Sequence, residues 1–174
     1  MRRFSIGGRF GARLTAACMA AALVGGNALA CVPRPTQQAL DIIALRSTLM
    51  VGALACGQRS DYDVFMRRFQ PRVLAAQHDM DAYFRSLHGR AGQRHEDTYV
   101  TGLANVQARS GERQGPHFCD QSQVLFNKVL ALNTEAQLER FAMQSPAPQP
   151  IVSVACGINE TESFRRVAEL AETP

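Results

Sequence analysis

His78, Asp79 and Asp81 sit close in sequence to His88, His95 and Glu96. Imidazoles and carboxylates in such company are the ingredients of a divalent-metal site or of general acid–base catalysis. His78 and Asp81 are three residues apart and share a helix face; Arg85 follows Asp81 by four and His88 by seven. A metal site can be drawn from His78, Asp81 and His88. The spacing argues against it, because H-E-x-x-H is missing and no second ligand pair stands at a diagnostic separation. The expectation is a solvated helix face with ordinary ion pairs, and neither a metal nor another cofactor. No G-x-S-x-G elbow marks a nucleophile, and Gly89-x-x-Gly92 reads as a turn, not a phosphate cradle. No catalytic residue is assigned. A hydrolase using His78 or His88 with a nearby carboxylate as general base remains the alternative.

Cysteine supplies the second kind of chemistry. Beyond residue 30 there are Cys31, Cys56, Cys119 and Cys156, separated by 25, 63 and 37 residues. No C-x-x-C, haem-attachment C-x-x-C-H or short Cys/His cluster occurs, so these spacings suit long-range disulfides better than zinc or a reactive thiol. Four cysteines allow three pairings. Cys56 with Cys119 and Cys31 with Cys156 is the favoured one: the first joins two mid-chain helices, the second ties the ends together.

Disulfides require an oxidising compartment, and the N-terminus provides the route. Arg2, Arg3, Arg9 and Arg13 precede a short apolar run, Leu14 to Val24, and Ala28-Leu29-Ala30 is a small-x-small cleavage site. This pattern is a secretory signal peptide over residues 1–30; the Arg2-Arg3 pair also hints at twin-arginine export. Cleavage leaves Cys31 first, as in a lipoprotein anchored there. Lipidation would strand one unpaired cysteine, so a soluble periplasmic or secreted protein is favoured over the anchored form. The apolar run is too short to span a bilayer, and no transmembrane segment is expected in the mature chain. The whole chain has 19 Lys+Arg and 15 Asp+Glu; four arginines and no acids fall in 1–30, leaving 15 against 15. The basic pI therefore belongs to the targeting peptide, and nucleic acid is not an expected partner.

Positioning falls to helices. Apolar residues recur at helical spacing through most of 31–145, and the expected fold is all-α: a single disulfide-stapled bundle of about five or six helices. The first helix is expected from a Thr36 cap to about Ala55, with Leu40, Ile43, Leu45, Leu49, Met50 and Leu54 inward and Gly57 as its stop. A second begins at Ser60 or Asp61 and carries Val64, Phe65 and Phe69; Pro71 either kinks it or opens another. Val73, Leu74, Met80, Phe84 and Leu87 continue the stripe to Gly89. A further helix is expected from Gln93 to Arg109, with Tyr99, Val100, Leu103 and Val106 inward, broken by Gly111 and Gly115-Pro116. Another runs from Pro116 to Leu132, and a capping box at Thr134 opens a short one through Met143. Residues 146–174 are expected as a Pro-rich linker with an extended arm and a last short helix, SPAPQP at 145–150 being the extended linker.

The segments LRSTLMVGALACGQRSDYDVFMRRFQP (45–71), YFRSLHGRAG (83–92) and HFCDQSQVLF (117–126) resemble a group of small exported helical proteins of alphaproteobacteria with no settled activity. The resemblance implies a secreted helical protein with Cys56 and Cys119 as common features, and offers no catalytic residues. The expected function is a non-enzymatic interaction or envelope factor. Seven arginines against four aspartates between 59 and 94 make Arg67, Arg68 and Arg72 the candidate contact for an anionic surface or another envelope protein. An acid-stress chaperone is the lowest-ranked alternative, since four histidines are thin support.

Overall fold

The computed structural model describes residues 31–150. The expected signal peptide, Cys156 and the expected C-terminal arm and helix lie outside the described residues. What is described is all-helical: α1 (Arg34–Ala55), α2 (Arg59–His88), α3 (Gly92–Gln114), α4 (Phe118–Leu130) and α5 (Glu135–Gln144), with 3-10 turns at Gly89–Ala91 and Gly115–His117.

Helix α1 is the axis of the bundle and packs against all four others. Every residue from Ala39 to Leu45 is buried, including Asp41. By length and composition α1 could cross a membrane, but a helix that is apolar all round also suits the centre of a bundle, which is where α1 lies. It starts two residues before the expected cap, because Pro35 pre-sets the first-turn backbone and the Pro33 carbonyl accepts from the Gln37 N–H at 2.9 Å. At the other end the Gln58 N–H reaches back to the Ala53 carbonyl at 3.0 Å across Gly57, whose φ of 71° needs glycine.

Helix α2 runs unbroken through Pro71, which neither ends it nor opens a new element. Phe65, Phe69, Val73, Ala76, Met80 and Phe84 are all buried at steps of three and four that continue across the proline. Pro71 itself is exposed, so water can reach the Arg67 carbonyl that lacks its helical donor. Burial on one face therefore outweighs a proline on the other.

Helix α3 also outruns its expected end and passes through Gly111 to Gln114. Gly111 does not break the helix; it admits a neighbour. A Cβ there would lie 3.1 Å from the Phe118 ring. The stop is Gly115, the second of the two expected breaks, with φ of 54°.

Five residues expected inward are exposed: Met50, Leu54, Leu74, Leu87 and Val100. The inward face of α1 in its last turns is Leu49, Gly52 and Ala53, so Met50 and Leu54 point away. In α3 the buried positions are Glu96, Tyr99, Leu103 and Gln107, a register that leaves Val100 outside. The core is filled by Ile42, Leu45, Leu49, Phe65, Phe69, Met80, Leu103, Phe126 and Leu138. The capping box forms as the sequence predicts: Thr134 Oγ1 accepts from the Gln137 N–H, and Gln137 Oε1 accepts from the Thr134 N–H.

Candidate functional site

The Cys56–Cys119 disulfide forms, with the two Cα atoms 5.4 Å apart. Cys56 caps the end of α1 and Cys119 lies in the first turn of α4. The two helices approach closely beneath it, since a Cβ on Gly52 would fall 2.1 Å from Ser122 Oγ. A chain of polar side chains runs alongside: Ser122 Oγ donates to Gln58 Oε1 at 2.6 Å, and Gln58 Nε2 donates to Gln123 Oε1 at 3.0 Å. Cys31 is also disulfide-bonded; Cys156, its expected partner, lies outside the described residues.

The histidine cluster does not converge. His78 and Asp79 are exposed on α2, and His88 is ten residues further on, about 15 Å along the helix axis. Asp81 pairs with Arg85 one turn away, a contact between a half-buried carboxylate and an exposed guanidinium. His88 instead stacks on His95 across the α2–α3 corner, ring centroids 3.6 Å apart and planes 15° from parallel. Parallel rings at that spacing cannot both aim a nitrogen lone pair at one ion. Among the described residues no group of three His, Cys, Asp or Glu side chains is placed to hold a metal.

Glu96 is different in kind. It is 5% exposed, and its Oε1 accepts from Gln77 Nε2 at 2.7 Å, whose own Oε1 accepts from Arg46 Nη1 at 3.4 Å. Among the described residues Oε2 meets no donor. Burial, then the nearby Asp81 and Asp97 charges, push the Glu96 carboxyl above its ordinary range, against the opposing Gln77 hydrogen bond and Arg85 charge. Grouping Glu96 with the histidines missed this. The available signal was the 96, 99, 103, 107 spacing, which puts Glu96 and Gln107 on the inward stripe with Tyr99 and Leu103.

The segment 145–150, expected as an extended linker, is non-helical and is anchored on the bundle. Tyr99 Oη donates to Gln149 Oε1 at 2.6 Å, and Gln149 Nε2 donates to Asp41 Oδ1 at 2.9 Å. Gln107 Nε2 donates to the Pro148 carbonyl at 3.2 Å and to the Ala44 carbonyl at 3.1 Å. Burial and the Asp41 charge hold the Tyr99 phenol well above its usual range, so it remains a donor. Periodicity gives no hint of these contacts, because they depend on which helices flank the segment.

The candidate basic contact is divided. Arg68 Nη1 donates to the Leu130 and Leu132 carbonyls at 2.6 and 2.8 Å, capping the end of α4. Arg72 Nε pairs with Glu139 at 2.6 Å and is only 11% exposed. Arg67 is exposed. Along α4 and α5 an open groove of about 390 Å³ has Val124, Leu125 and Phe141 as apolar walls and Asp120 and Lys128 among its lining.

No family model matches this chain, and no curated protein or solved structure is significantly similar to it. The class rests on the architecture alone: among the described residues, a helical bundle in which α1 and α4 are joined covalently.

Proposed function

We propose that the protein is exported to the periplasm or beyond, and that it acts there by binding and not by catalysis. The observation that carries this is the Cys56–Cys119 disulfide joining α1 to α4. A bridge of that kind persists where the surroundings are oxidising, and the basic, apolar, small-x-small N-terminus is the matching address. The disulfide at Cys31 favours the soluble form over a lipoprotein, because a lipid thioether would use the same sulfur. Over the whole mature chain the reading is a stapled bundle of five or six helices.

Binding is favoured because the two candidate bases do not share a site. His78 and His88 are exposed and well separated on α2. The proposed contact with an anionic surface or an envelope partner centres on Arg67, with Arg68 and Arg72 holding the helices behind it.

Mass spectrometry of the protein recovered from the cell envelope tests the reading. A mature mass beginning at Cys31, short of the reduced mass by the hydrogens of two disulfides, is the expected result. Retained residues 1–30, or a mass raised by a diacylglyceryl and an acyl group, would overturn it.

A further inference from the structure

Residues 148–150 lie in a slot between α1 and α3 that reads each of them separately. The Gln149 side-chain amide is read at both ends: Tyr99 Oη donates to its oxygen at 2.6 Å and Asp41 Oδ1 accepts from its nitrogen at 2.9 Å. The Pro148 carbonyl accepts from Gln107 Nε2 at 3.2 Å. The Pro150 ring rests against Gly102, where a Cβ would lie 3.0 Å from the Pro150 Cβ and Cγ. Asp41, Tyr99 and Gln107 are 5%, 4% and 3% exposed. Gln37 Nε2 also donates to Asp41 Oδ1 at 2.9 Å, holding that carboxylate in place.

This arrangement is selective in three ways. Tyr99 offers a donor and Asp41 an acceptor, so an amide fits both. A glutamate would set one carboxylate against another, and an apolar residue would leave the buried Tyr99 hydroxyl without this acceptor and take one of its donors from Asp41 Oδ1. Proline on either side suits the slot because neither carries an N–H that needs an acceptor. Proline also fixes its own φ in advance, which lowers the ordering cost of binding.

We propose that this slot is a recognition site for a Pro-Gln-Pro peptide, that residues 148–150 fill it in cis, and that a partner presenting the same tripeptide displaces them. The inference rests on the reading of the protein as a binding module and names the chemistry of what it binds. The resident segment is an internal competitor. Its tether gives it an effective concentration in the millimolar range, so the intact chain holds the slot closed against weak or scarce ligands.

The test uses the full mature chain and a capped synthetic peptide, Ser-Pro-Ala-Pro-Gln-Pro, followed through the NMR signals of the Tyr99 ring. The Gln149→Ala chain is expected to bind the peptide saturably, at least about 10-fold more tightly than the wild type, because the competitor is removed. A peptide with Glu in place of Gln is expected to bind at least about 10-fold more weakly, the factor that one lost hydrogen bond supplies. Should Gln149→Ala unfold the chain, Pro150→Ala carries the same comparison. Absence of a saturable shift at Tyr99 in the variant, equal binding of the Gln and Glu peptides, or equal binding by wild type and variant would each overturn the proposal. None of those results bears on export or on the disulfide, so failure of the slot and failure of the proposed function are distinguishable.

Discussion

Cys56 and Cys119 are 63 residues apart in sequence and 5.4 Å apart between Cα atoms. One closes the central helix and the other opens α4. The loop they close contains α2 and α3, so the bond removes a large share of the unfolded chain's freedom. On the loop-entropy model a closure of this length contributes about 4 kcal/mol. Replacing both cysteines by serine is expected to lower the unfolding free energy by roughly that amount, read as a fall in the urea midpoint with little change in native helicity.

Directly below that bond, Gly52 and Ser122 allow α1 and α4 to touch. A Cβ at residue 52 would sit 2.1 Å from Ser122 Oγ and 3.2 Å from its Cβ. Gly52→Ala should therefore destabilise by about 1–3 kcal/mol. Ser122→Gly in the same chain removes both clashing atoms and should recover part of the loss. A double-mutant cycle from denaturant unfolding checks it; purely additive effects would mean that the two residues do not meet.

Glu96 sets a pH dependence whose sign is fixed by its surroundings. Burial and the Asp81 charge raise its folded-state pKa above the ordinary 4.5. The folded chain therefore binds this proton more tightly than the unfolded chain. The contribution is fully present below 4.5 and is lost as the pH rises through the higher folded value. Glu96→Gln removes the titration, so the difference between variant and wild-type stability should grow on going from pH 4 to pH 8. Thermal unfolding across that range checks it, and parallel pH curves for the two chains would contradict it.

Arg72 and Arg67 are neighbours on α2 with different tasks. Arg72→Ala breaks a largely buried contact with Glu139 and should cost about 1–3 kcal/mol. Arg67→Ala, at an exposed position, should stay within about 0.5 kcal/mol of wild type. If Arg67 faces an anionic surface, its loss should weaken sedimentation with anionic vesicles while the melting temperature holds.

Tyr99→Phe removes the donor to Gln149 Oε1 and leaves that oxygen without its 2.6 Å partner. A loss of about 1–2 kcal/mol is expected, with faster amide exchange around Gln149 as the local readout.

Local signals in the sequence carried the helical class, the Gly57 stop, the Thr134 cap and the Cys56–Cys119 pairing. Each depends on residues close together or on a covalent bond with few alternatives. Register and continuity were harder to read. Pro71 and Gly111 look like breaks until the burial of Phe69 and Val73, or the Phe118 ring against Gly111, is known. Met50 and Leu54 look inward because a stripe drawn on one helix does not reveal where its neighbours end. At the candidate sites, the sequence exposed the histidines, whose side chains turned out to be scattered or stacked. The inward place of Glu96 was legible in the 96, 99, 103, 107 spacing, whereas Gln149 was concealed because its partner Asp41 is 108 residues away.

The central claim is that the protein is exported into an oxidising space, where the Cys56–Cys119 bond fastens the bundle. Alkylation of protein taken from the cell envelope, without reductant or denaturant, followed by peptide mapping, tests it most directly. The account predicts that Cys56 and Cys119 remain unlabelled until the protein is reduced. Stoichiometric labelling of either residue in the untreated protein would contradict it.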